Sequence, residues 1–305
     1  MQNVLPVRYP LITTLPQIAD IISILGYYPE TKPWICNNFI QLVFYNKPMA
    51  DKNTSTISLR GGFLEIYNRI EHSPFFPCPF IQKKYLLRKE AENKWNSITD
   101  FIIYNINHGQ YVYLCIDMYY IPYYLNNFEK RHGRHLLFIY GYDLMQKLLY
   151  IADFFENGKY KFKTISFDIF EEAYYKLDLS KPFDFDEEIF VINYSSKADI
   201  NLDPEAIKNS LTDYLFSENI HYNYPLDLFT KHRYTNNEGN VVSIINRSFG
   251  YGISFYSELR EFIFRLSQHG VLQHDIRLFD VIHDHKLMML FRINYLGEHQ
   301  CLKKS

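Results

Sequence analysis

Between Gln110 and Phe155 the chain concentrates three runs rich in tyrosine, valine, isoleucine and phenylalanine, at residues 111–117, 135–142 and 148–154. Such runs, bounded by polar segments, predict strands. The polar turn at 143–147 joins the second and third runs as a hairpin. His135 opens one arm of that hairpin and Asp153 closes the other, so pairing brings an imidazole beside a carboxylate. That is the base-and-orienter half of a nucleophilic triad, and Cys36 is the candidate nucleophile.

With 305 residues and a mass of 36.6 kDa, the chain suffices for one large domain or two medium ones, each with its own core. A net charge of -2 and a pI near 6.6 provide no global basic field, which argues against nucleic acid or an anionic membrane as the main partner. Aromatic residues make up 18% of the chain, and the simplest use of so many rings is to fill the core and the half-buried strand faces. Cys36, Cys78, Cys115 and Cys301 are scattered, with neither a disulfide framework nor metal-ligand spacing. The first residues lack the basic and apolar regions of a signal peptide, and no apolar run is long enough to span a bilayer. The expectation is a soluble cytoplasmic protein with reduced thiols.

Residues 1–16, with three prolines, should be extended. Residues 34–45 show apolar spacing that predicts a helix, with a strand as the alternative, and Pro33 suits a first helical turn. Cys36 would then lie in that turn, where the helix N-terminus favours a thiolate. A loop leading into a strand is expected at 51–62, and a helix at 84–107 on the spacing of Ala91, Trp95, Ile98, Ile102 and Ile106. A helix at 166–177 and a strand at 188–194 complete an α+β pattern with an antiparallel sheet. After Tyr194 the composition changes. Helices are expected at 204–217, 254–269 and 275–296, with a flexible connection at 239–252. This gives a first domain at 1–195 and a helical subdomain at 196–305.

The order Cys36, His135, Asp153 is that of papain-like cysteine enzymes. The chain resembles the butirosin biosynthesis protein H N-terminal domain family, which belongs with papain-like cysteine peptidases. The resemblance is carried by Asp117, Tyr119, Tyr120 and Pro122, by the His135-led strand ending in Gly141-Tyr142-Asp143, and by Ala152-Asp153. It implies a papain-like fold and a cysteine-dependent acyltransferase. Cys36 would take an acyl group from the thioester of a carrier protein's phosphopantetheine arm and give it to a small-molecule amine, in the assembly of a peptide-like or aminoglycoside natural product. No bound cofactor is implied, only the arm that delivers the substrate. Chemically, His135 would accept the thiol proton and Asp153 would hold the imidazole tautomer, in a site kept dry by aromatic strands. Where papain-like enzymes place the oxyanion-hole glutamine, this chain has Glu30. An inactive papain-like scaffold that binds a carrier protein or peptide is therefore the alternative, and a peptidase is the third reading.

Other residues have plainer expectations. Cys115 belongs to the core, His132 to a solvated loop, and Asp117 to a hydrogen bond with a tyrosine hydroxyl. The basic stretch 130–134 is read as a solvated loop, with an acidic carrier helix or its phosphate as the alternative. His269, His274, His283 and His285 lack the spacing of a metal site.

Overall fold

The runs at 110–155 do pair as strands, and the sheet grows outward from them. In the computed structural model, residues 2–46, 65–67, 78–180, 186–218, 231–235, 241–246, 248–269 and 277–301 are described. In chain order the strands are β1 (Gln2–Val4), β2 (Gln41–Asn46), β3 (Glu65–Tyr67), β4 (Ile81–Leu87), β5 (Gln110–Asp117), β6 (Arg134–Asp143), β7 (Leu148–Phe155), β8 (Lys159–Ser166), β9 (Glu188–Tyr194), β10 (Lys231–Thr235), β11 (Val241–Asn246) and β12 (Ser248–Tyr251). The helices are α1 (Pro16–Leu25), α2 (Lys32–Asn37), α3 (Arg88–Lys94), α4 (Ile98–Asn107), α5 (Phe167–Tyr175), α6 (Pro204–Phe216), α7 (Phe255–His269) and α8 (Arg277–Glu298). None of the described helices is long and apolar enough to cross a membrane. The chain divides into two units, Met1–Thr31 with Cys78–Asp199, and Lys32–Pro77 with Ile200–Ser305.

The first unit is built on an antiparallel sheet of order β4-β9-β5-β6-β7-β8, with β1 added to β6. The fold is α+β, as expected. Along one edge, β6 pairs with β5 through residues Arg134 to Ile139 and then with β1 through Gly141 to Asp143. A Cβ at Gly141 would lie 2.8 Å from the Asn3 carbonyl oxygen and 2.9 Å from the Val4 Cα, so β1 can approach only a glycine. Val112, Leu114, Ile116, Leu137, Ile139, Ile151 and Ile192 are buried in the core. Helices α4 and α5 pack on β5, and α1 packs on β7. The Ser97 and Ser166 hydroxyls cap α4 and α5 by accepting the amide N–H of Asp100 and Ile169.

The single helix expected at 84–107 is instead strand, helix, break and helix. Residues Lys84–Leu87 pair with Val191–Glu188 in the sheet, and Ser97 starts a new helix.

In the second unit, β2 lies between β12 and β3, all antiparallel, and β10 pairs with β11. The helix expected at 34–45 ends at Asn37. Phe39 takes a left-handed φ of 58°, and β2 begins at Gln41. Both alternatives for this segment thus occur, one after the other. The flexible connection expected at 239–252 contains β11 and β12. The loop expected at 51–62 lies outside the described residues. Helix α8 buries Val281, Asp284, His285, Met288, Arg292 and Leu296, a set spaced to share one face.

Candidate functional site

The connection from β5 to β6 is knotted by Asp117. Its Oδ1 accepts the amide N–H of Tyr119 and of Gly133, each at 3.0 Å, and its Oδ2 lies 2.6 Å from His132 Nδ1. Asp117 therefore serves backbone amides and an imidazole, where a tyrosine hydroxyl had been expected. His132 is exposed but paired, and its ring stacks on Tyr119 with centroids 4.3 Å apart. Arg134, from the basic stretch, is held by Asp186 at 2.6 Å and by the Asp178 carbonyl at 2.7 Å.

His135 enters β6 opposite Ile116 of β5, and Asp153 lies near the end of β7 opposite Lys161. The hairpin brings His135 and Asp153 together: Nε2 lies 2.8 Å from Oδ2. Asp153 is 1% exposed, and its carboxylate is faced by further donors. The Phe154 amide donates to Oδ1 at 2.6 Å, and the Tyr124 hydroxyl donates to Oδ2. The His135 side chain retains 29% exposure. With Nε2–H directed at Asp153, Nδ1 is the nitrogen left to receive a proton from a reacting group. Burial pulls the His135 pKa down, but the Asp153 charge and hydrogen bond outweigh it, and the net direction is upward.

A second buried carboxyl, Asp20 of α1, accepts the Tyr160 hydroxyl at 2.9 Å. Burial first, and then the charge of Asp153, raise the Asp20 pKa well above the usual carboxylate range. Sequence reasoning passed over Asp20 and Tyr124. The signal for Asp20 was a lone carboxylate inside the apolar run Ile18-Ala19-Asp20-Ile21-Ile22.

The cysteines are all unbridged. Cys36 belongs to the second unit, whereas His135 and Asp153 belong to the first. It lies next to the last position of α2, not in a first turn, so the expected helix-N-terminal activation of its thiol is absent. Its side chain is fully buried, and burial pushes the thiol up to about 11 against the opposing pull of Arg292. Burial likewise pushes Cys78 and Cys115 up to about 12. Cys115 lies in the core as expected, its Sγ 3.3 Å from Asp186. Among the described residues there is no group of three or more His, Cys, Asp or Glu side chains that could hold a metal ion.

No curated protein matches the chain. Residues 83–154, which contain Asp117, Tyr124, His135 and Asp153, match the family model described as Butirosin biosynthesis protein H, N-terminal, so over that segment the family likeness carried by the chain's own motifs is shown.

Proposed function

We propose that the first unit transfers an acyl group from the phosphopantetheine thioester of a carrier protein to an amine, in the biosynthesis of an antibiotic-like natural product, with His135 as the general base. The amine nitrogen attacks the thioester carbonyl, and its proton passes to His135 Nδ1. The C–S bond then breaks, the amide forms, and the proton goes on to the departing thiolate of the arm. Asp153 holds the imidazole tautomer and offsets the positive charge that develops on the ring. The observation that carries this reading is the 2.8 Å contact between a partly exposed His135 and a fully buried Asp153, within the segment that matches the family.

Direct aminolysis is favoured over an acyl-Cys36 intermediate by a magnitude. With its thiol near 11, only about one Cys36 in ten thousand is ionised at pH 7, against a few per cent for an ordinary thiol. Thioester aminolysis needs no protein nucleophile when a base and a positioned amine are present.

Incubation with an acyl-phosphopantetheine thioester and candidate amines, read by mass spectrometry, tests the reading. Amide formation should persist in Cys36→Ala and collapse in Asp153→Asn. An acyl adduct on Cys36 that chases into product would replace this route with the covalent one. Binding of carrier protein without turnover in any arm would favour a scaffold, a role that the three buried, protonated thiols also fit.

A further inference from the structure

We propose that Tyr124 is a positioning residue for the His135–Asp153 pair, its hydroxyl pinning the same carboxylate oxygen that receives the imidazole Nε2–H. The pairing itself stands on geometry, and its catalytic consequence rests on the acyl-transfer reading above.

Tyr124 lies in the connection between β5 and β6, far in sequence from Asp153, and the structure holds it there from several sides. Its carbonyl accepts the amides of Asn127 and Phe128 at 2.8 Å each, which fixes the local turn. The preceding Tyr123 anchors the same loop twice, its hydroxyl donating to the Thr164 carbonyl of β8 at 2.6 Å and its carbonyl accepting the Glu156 amide at 3.0 Å. The Tyr124 ring stands edge-on to His135 at 5.6 Å, with an interplanar angle of 75°, and packs against Phe155 at 5.2 Å. The hydroxyl has little room to point anywhere but at Asp153 Oδ2.

This contact matters because two carboxyls are buried near one another. Asp20 on α1, Tyr160 of β8, Tyr113 of β5 and Tyr124 itself are titratable groups that interact with Asp153 on β7. Donors that meet a buried carboxylate share its charge, so each tempers what the others feel. Asp153 is faced by His135, Tyr124 and the Phe154 amide, whereas Asp20 accepts from the Tyr160 hydroxyl. Tyr124 thereby disperses part of the carboxylate charge that faces the imidazole.

The test is a titration of His135 by NMR in the wild type and in Tyr124→Phe, alongside the pH–rate profile of acyl transfer. Loss of one of three donors strengthens the pull of Asp153 on the imidazolium. His135 should then titrate at a pH about 0.5 or more higher, with the acidic limb of the rate profile moving in parallel and turnover at neutral pH falling about 3- to 10-fold. If the variant does not fold, the wild type still decides: the Tyr124 hydroxyl proton should exchange slowly and show cross-relaxation to the His135 Nε2–H, and its absence overturns the proposal. A shifted titration in a chain that transfers no acyl group supports the positioning role and removes the acyl-transfer reading. An unchanged titration in an active enzyme does the reverse.

Discussion

Arg292 of α8 donates through Nε to the carbonyl oxygen of Cys36 at 2.8 Å, so the segment that carries this thiol is clasped through its backbone. A second donor of the same guanidinium reaches the Asn38 carbonyl, and His285 Nε2 donates to the Ile40 carbonyl at 2.8 Å. Alternate carbonyls at 36, 38 and 40 are thus satisfied from one helix face, at the point where α2 gives way to β2. Carbonyls at the end of a helix need such partners when buried.

Replacement of Arg292 by leucine removes these donors and leaves carbonyl oxygens buried without them. The expected loss is about 2–4 kcal/mol in the stability of the second unit, read from urea unfolding. Arg292→Lys should recover little of it, because an ammonium cannot reproduce the planar fork of the guanidinium.

His285 makes the same clasp pH-sensitive. Burial, with smaller contributions from Lys286 and Arg292, pushes its pKa down to about 4 against the pull of the Ile40 carbonyl. The unfolded chain binds this proton near 6.5 and the folded chain only near 4, so the unfolded state gains as pH falls between these values. Stability should be full above about 6.5 and fall by about 3 kcal/mol on the way down to 4. His285→Gln should flatten that window in a series of unfolding curves.

In the first unit, Gly141→Ala places a methyl group against backbone atoms of Asn3 and Val4. Displacement of β1 should cost about 1–3 kcal/mol. Hydrogen exchange checks it locally: the Leu5 amide, which donates to the Tyr140 carbonyl at 2.8 Å, should lose protection while the amides between β5 and β9 keep theirs.

The pH dependence of His135 has the opposite sign to that of His285. Its folded pKa is raised, so the stabilisation from its pairing with Asp153 is fully present below the unfolded value and is lost as pH rises through the folded value. Activity runs the other way, because only the neutral imidazole accepts a proton. The rate should rise through a pKa above that of a free histidine, and Asp153→Asn should lower that pKa.

The fold was legible where a single periodicity ran between clear stops. The strands at 110–155 and 188–194 follow from their aromatic and β-branched content, and the hairpin turn at 143–147 set the pairing that joins His135 to Asp153. Of the helical spacing at Ala91, Trp95, Ile98, Ile102 and Ile106, Ala91 lies on α3 and the three isoleucines on α4, with Trp95 the extended residue after α3, and the Ser97 cap that starts α4 was a signal passed over. The position of Cys36 was illegible. Neither the left-handed Phe39 nor a clasp from Arg292, 256 residues away, leaves a mark on local spacing. Tyr124 was hidden for the same reason: its role depends on a loop folding back over β7, and one tyrosine among 27 carries no sign of it.

The most direct test of the account is the rate of amide formation from an acyl-phosphopantetheine thioester and an amine acceptor in His135→Ala against the wild type. Removal of the base should slow transfer about 10²- to 10⁴-fold, with the fold intact by circular dichroism. Transfer at the wild-type rate in His135→Ala would contradict the account.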